Sequence, residues 1–200
     1  MTSEVSQGKP MNRTLARCAA SALFAAALSL SAAAHAQKVK LATSAGDIVI
    51  ELDAAKAPKS VDNFLQYVKA GHYNGTVFHR VIPNFMIQGG GMTADMKEKA
   101  TRAPIPLESK NGLGNARGTV SMARTNDPNS ATAQFFINVK DNDRLNAANS
   151  PDGNGYAVFG KVVSGMEVVD KIRDVPTGSK GPYSDVPNTP VTINKATVEK

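Results

Sequence analysis

The chain has 200 residues, 42% of them hydrophobic, with 16 Gly, 11 Pro and a net charge of +6. That length suits one domain with a single sizeable core. Removing residues 1–36 takes away Lys9, Arg13, Arg17 and Glu4 and lowers the charge to +4. No basic run and no interleaved aromatics remain, which argues against a nucleic-acid partner.

Residues 13–36 begin with Arg13 and Arg17, continue through an apolar stretch from Ala19 to Ala34, and end in Ala34-His35-Ala36. This is the layout of a secretory signal peptide, with cleavage expected between Ala36 and Gln37. The apolar stretch is alanine-rich and shorter than the roughly 20 residues a spanning helix needs, so a membrane anchor is the weaker reading and no stable membrane association is expected after cleavage. Met11 offers a start from which the signal has ordinary proportions. Cys18 is the only cysteine and lies inside the signal, so the mature chain, 37–200, has no thiol. It needs no disulfide, which suits an oxidising compartment, and export without a retention signal implies the periplasm.

In the mature chain, Lys38–Thr43 and Ile48–Leu52 alternate around Ala45-Gly46-Asp47, predicting a hairpin. A helix is expected to open near Pro58, with Val61, Phe64, Leu65 and Val68 on one face and Gly71 as its stop. Strands are expected at 77–82 and 85–88. Strict alternation there groups Phe78, Arg80 and Ile82 on one face and Val77, His79 and Val81 on the other. An arginine on an apolar strand face carries a desolvation cost unless something polar meets it. It is therefore either a structural residue or the cation of a pocket. Residues 89–117, with Pro104, Pro106 and several Gly and Asn, predict mostly loop. Strands return at 119–123, 134–139 and 157–163. A helix with Met166, Val169 and Ile172 on one side is expected over 165–173, then a Pro-rich loop at 174–190 and a last strand at 191–198. Many short strands with only two helices predict a mainly β, antiparallel barrel or sandwich.

Three segments, FHRVIPNFMIQGGG (78–91), GTVSMARTNDPNSATAQFFIN (118–138) and GYAVFGKVVSGMEVVDKI (155–172), closely resemble the cyclophilin family of peptidyl-prolyl isomerases, in particular its bacterial periplasmic branch. The motifs are long and in the family's order, from about Val39 to the C-terminus. The resemblance implies an eight-stranded antiparallel barrel capped by two α-helices, and an isomerase that needs no cofactor. Its partners would be proline-containing, unfolded or partly folded exported polypeptides, met by a monomer.

Residue by residue, the resemblance implies that Arg80 is the catalytic arginine and that Phe85, Met86, Phe136 and Leu145 form an apolar socket for the proline ring. Gln88 and Gln134 match positions that hold the substrate and Arg80 by hydrogen bonds. Ala123 and Arg124 match the segment whose backbone pairs with the bound peptide. Alternation independently puts Gln134 with Phe136, and Met86 with Gln88, on shared faces. Phe85 reaches the same pocket only if the Pro83-Asn84 turn bends the backbone.

Two positions depart from the pattern of the eukaryotic members. Arg144 stands where they carry a rim tryptophan, and Tyr156 where they carry a histidine. His79 is expected to be structural. With only His72 and His79 left and no cysteine, no metal site is expected. Asp127 and Asp143 have no spacing that suggests paired-acid chemistry. A hydrolase lacks its Ser/His/Asp or Cys/His constellation. The competing class is a non-catalytic module that captures proline segments, which could dispense with Arg80, Gln88 and Phe136.

Overall fold

Alternation between apolar and polar residues builds the first hairpin: Val39 and Leu41 of β1 (Lys38–Thr43) and Ile48, Ile50 and Leu52 of β2 (Gly46–Leu52) all point into the core. The structure, a computed structural model, describes Thr2 and residues 36–199. The signal segment expected at 13–36 lies outside the described residues, apart from Ala36. Residues 36–200 form a compact unit of their own.

After β2 come α1 (Pro58–Lys69), β3 (Thr76–Ile82), β4 (Met86–Thr93), β5 (Thr119–Met122), β6 (Phe135–Asn138), β7 (Val158–Ser164), α2 (Met166–Arg173), β8 (Thr177–Lys180), β9 (Tyr183–Pro187) and β10 (Thr192–Glu199). Eight strands close into an antiparallel barrel in the order β1-β10-β3-β4-β6-β5-β7-β2. Closure pairs every barrel strand on both sides and leaves no open edge to attract other chains. The remaining pair, β8 and β9, forms a separate two-stranded ribbon.

Both helices contribute to the barrel core, α1 through Val61, Phe64, Leu65 and Val68, and α2 through Val168, Val169 and Ile172. Phe64 lies between Tyr73, Phe135 and Phe159 at centroid distances of 5.1–5.5 Å, within the range of favourable aromatic pairs. Helix α1 has no capping side chain of its own. Glu108, 48 residues on, accepts the Lys59 and Ser60 N–H groups at 3.0 and 2.8 Å and the Ser60 hydroxyl at 2.7 Å. A carboxylate there satisfies unpaired donors and complements the positive end of the helix. Ahead of α2, Gly165 adopts φ +89°, and a Cβ there would lie 2.2 Å from the Asp47 carbonyl oxygen. Only glycine fits that crossing.

Three expectations are corrected. First, the face assignment in β3 fails: Phe78 and Val81 both enter the core, while Arg80 does not. Phe78 pairs with Gly89 and Arg80 with Gln88, so two steps on β3 match one step on β4. This is a β-bulge at His79, which shifts the phase of alternation and puts Arg80 on the outside of the barrel. Second, β4 runs on through Gly89-Gly90-Gly91 to Thr93 instead of ending at Gln88. Three glycines give no alternation to read, yet their backbones pair like any others. Third, residues 174–190 contain the β8–β9 ribbon, whose polar strands carry almost no apolar signal.

Candidate active site

The outer face of the barrel carries one transverse row of side chains. Arg80 on β3 pairs with Gln88 on β4, Gln88 with Phe136 on β6, and Phe136 with Ser121 on β5. Their sequence neighbours Val81, Ile87, Phe135, Ile137, Val120 and Met122 fill the core. Four separate strands therefore bring a cation, an amide and an aromatic ring into register, held by the same packing that fixes the barrel. Gln134 precedes this row on the Phe136 face. Its side chain lies over Gly91, where a Cβ would come within 2.5 Å of the Gln134 chain.

Gln88 Nε2 donates to Gln134 Oε1 at 2.9 Å. Neither amide bonds to the Arg80 guanidinium. Arg80 is 43% exposed in its side chain, and its one ion-pair partner among the described residues is Asp185 on β9, with Nε 3.8 Å from Oδ2.

Beside the row lies a cavity of about 400 Å³ lined by residues that include Phe85, Arg124, Arg144, Leu145, Asp152 and Tyr156. The Pro83-Asn84 turn does bend the chain: Phe85 N–H bonds back to the Ile82 carbonyl at 3.0 Å, and Phe85 faces this cavity. Leu145 ends a short 3-10 turn, Asp143–Leu145. Met86 and Phe136 are buried next to the cavity without lining it; Phe136 meets the Tyr156 ring edge-on at 5.6 Å. Ala123, half-buried at the end of β5, donates its N–H to the Gln134 carbonyl at 3.0 Å.

Arg124 does more than its backbone suggested. Its side chain is 3% exposed and is fully committed to the wall. Nε donates to the Gly155 carbonyl at 2.9 Å, Nη1 to the Thr125 carbonyl at 2.9 Å, and Nη2 to Asp152. Its guanidinium carbon also sits 4.7 Å from the centroid of the Tyr156 ring. Asp152 is held far below the usual carboxylate range by Ser150, the Asn154 N–H and Arg124, so it stays an anion and the lock persists in acid. Arg144, exposed on the rim, forms no ion pair among the described residues.

Beneath the site runs a buried amide network that the sequence did not disclose. Asn115 Oδ1 accepts from Ser121 Oγ at 2.7 Å and from Asn138 Nδ2 at 3.2 Å, and Asn115 Nδ2 donates to Asn146 Oδ1 and the Tyr156 carbonyl at 3.1 and 3.3 Å. Asn142 Nδ2 donates to Asn138 Oδ1 and to the Phe85 carbonyl, both at 2.7 Å. Asn115, Ser121 and Asn138 are wholly buried. The network ties both walls of the cavity, through Phe85 and Tyr156, to the Phe136 row. The only trace in the sequence is the set of asparagines at 115, 138, 142 and 146, whose pairing requires the fold.

His79, the bulged residue, is 6% exposed, and its Nδ1 has no hydrogen-bond partner. Burial, with the Arg80 charge acting in the same direction, lowers its pKa from 6.5 to about 4. A buried base with a depressed pKa stabilises the fold fully above the unfolded value and loses that contribution as pH falls from 6.5 towards 4. Stability is therefore expected to fall over that window by up to about 3 kcal/mol. His79→Asn should flatten the dependence in denaturant titrations at pH 7 and 4.5; an unchanged slope would locate the acid sensitivity elsewhere. Among the described residues no group of three His, Cys, Asp or Glu could hold a metal, and no helix is long and apolar enough to cross a membrane.

Residues 38–198 match the family described as cyclophilin type peptidyl-prolyl cis-trans isomerase/CLD. The chain is 62% identical over 161 residues to a peptidyl-prolyl cis-trans isomerase of Streptomyces antibioticus, covering 80% of this chain and 97% of that protein. It is 57% identical over 169 residues to peptidyl-prolyl cis-trans isomerase A of Dickeya dadantii, covering 84% and 88%. It is also 57% identical over 159 residues to peptidyl-prolyl cis-trans isomerase B of Escherichia coli, covering 79% and 97%. Among solved structures, a Cryptosporidium parvum cyclophilin type isomerase crystallised in the presence of the dipeptide Ala-Pro superposes with a TM-score of 0.68 at 29% identity, over 82% of this chain and 99% of that one.

Proposed function

The chain belongs to the cyclophilin-type peptidyl-prolyl cis–trans isomerases, and from that premise we propose that it accelerates rotation about X–Pro bonds of exported proteins in the periplasm, with Arg80 as the group that acts on the reacting amide. Rotation breaks no covalent bond. The obstacle is amide resonance, which sets a barrier of about 18–20 kcal/mol and makes uncatalysed exchange take tens to hundreds of seconds. A site lowers that barrier by fitting the twisted amide better than either planar isomer. At the twist the prolyl nitrogen regains its lone pair, and a donor aimed at it stabilises that state selectively. The Arg80 guanidinium carries a permanent charge and a rigid donor fork. Phe85, Met86, Phe136 and Leu145 would hold the ring, and the Gln88–Gln134 pair would orient the acyl side while it turns.

The observation that carries this reading is the register of Arg80, Gln88 and Phe136 across three adjacent strands, next to the cavity that Phe85 and Leu145 line. A proline-isomerisation assay on a short peptide, using the chain from Gln37 onward, tests it; rates equal to the uncatalysed exchange would remove it.

The periplasmic part rests on the signal-like segment at 13–36. N-terminal sequencing of the exported protein is expected to begin at Gln37. Recovery of an intact Met1 or Met11 terminus in the membrane fraction would favour an anchor.

Arg144 bears on inhibition. The resemblance implies that the rim tryptophan of eukaryotic cyclophilins gives the cyclic peptide cyclosporin an apolar face and an indole N–H. Arginine has a charged, solvated head and cannot offer that face. Losing one neutral hydrogen bond and part of an aromatic contact lowers affinity by about 10²-fold. An active isomerase poorly inhibited by cyclosporin is expected, with Arg144→Trp restoring much of the sensitivity. Tight inhibition of the parent protein would mean that another residue supplies the contact.

A further inference from the structure

We infer that Asp185, on the β8–β9 ribbon, is a positioning residue for Arg80: its carboxylate takes the Nε side of the guanidinium and leaves the two Nη groups to face the substrate. This rests on the proposed role of Arg80 and adds a residue to it. Arg80 is a long, half-exposed side chain with no hydrogen bond to Gln88 or Gln134, and Asp185 is its one ion-pair partner among the described residues, at 3.8 Å. A freely rotating arginine loses conformational freedom each time it engages a ligand. A carboxylate on one edge restricts the rotamers before substrate arrives, so less ordering remains to be done in the transition state.

The ribbon is built to hold that carboxylate in place. Asp185 adopts φ +58°, one of two non-glycine residues with positive φ among the described residues. Aspartate tolerates this conformation better than most side chains, but it is unusual within a strand. The left-handed residue breaks the strand's alternation, and the next two residues, Val186 and Pro187, are both buried and anchor the ribbon. At the other strand, Lys180 Nζ donates to the Ala94 carbonyl at 2.9 Å, just beyond the end of β4. A ribbon fixed to the flank of β3 and β4 therefore presents one acidic group at the proposed catalytic arginine.

The test uses Asp185→Asn, which keeps the shape and the tolerance for positive φ and removes only the charge. Asp185→Asn is expected to lower kcat by about threefold to fivefold, the fold-change a half-exposed ion pair can command, with KM and melting temperature close to those of the parent. In an Arg80→Ala background the same substitution should change kcat no further, because the group it positions is gone. Parent-like or higher kcat in Asp185→Asn would overturn the inference, as would an equal loss in the Arg80→Ala background, which would mark a structural role for the ribbon. Absence of isomerase activity in the parent protein would instead remove the reading of Arg80 itself.

Discussion

Replacing Arg80 by alanine is expected to lower kcat/KM by about 10²–10³, the loss that follows removal of one preorganised donor aimed at a transition state. The barrier lies in amide resonance, so the donor's value appears only when the amide twists; a planar X–Pro peptide gains little from it. Peptide binding should therefore fall far less than turnover. Arg80→Lys is expected to rescue little, since an ammonium supplies the charge without the planar fork. The surroundings make this a clean substitution. Arg80 lies on the outside of the barrel with a side chain 43% exposed, and the core residues beside it, Phe78 and Val81, face inward. Truncation leaves no buried cavity. A large loss of stability in Arg80→Ala would show that the residue is structural.

The second large effect is expected at Asn115. Asn115→Ala removes a side-chain amide that accepts two hydrogen bonds and donates two in a wholly buried site, leaving Ser121 Oγ, Asn138 Nδ2, Asn146 Oδ1 and the Tyr156 carbonyl each short of a partner. Each buried polar group left unmatched costs about 1–3 kcal/mol. Because these groups share one network, the losses will not simply add. A destabilisation of about 3–4 kcal/mol by denaturant unfolding is the expected outcome. The consequence extends to function, because the same network holds the backbones of Phe85 and Tyr156, which both line the cavity. Surviving Asn115→Ala protein should show raised KM and lowered kcat together. A variant with parent stability would mean that the amides are satisfied by other routes.

The strands are legible because they alternate: Val39, Leu41, Ile48, Ile50 and Leu52 announce the first hairpin, while the choice of a barrel over a sandwich comes from the family resemblance. The pairing of Gln134 with Phe136 on one face was readable for the same reason, and the Pro83-Asn84 turn indicated where Phe85 could leave the strand. Periodicity failed where the backbone departs from strict alternation. A bulge adds one residue that no side-chain pattern marks, so strict alternation groups Arg80 with Phe78, from which the bulge at His79 separates it. The glycines at 89–91 hide a strand because they have no side chains to alternate. The β8–β9 ribbon hides because it buries so little, and with it went Asp185. The amide network was out of reach for a different reason: its members are spread from residue 115 to 146 and meet only once β5, β6 and the 3-10 turn are packed.

The central claim is that Arg80 acts on the twisted amide more than on the bound peptide. Nuclear magnetic resonance exchange on a short Ala-Pro peptide measures both quantities at once, line broadening for binding and cis–trans cross-peaks for interconversion. The parent protein is expected to bind and interconvert the peptide, while Arg80→Ala still binds it and interconverts it about 10²–10³-fold more slowly. Interconversion by Arg80→Ala at the parent rate would contradict the claim.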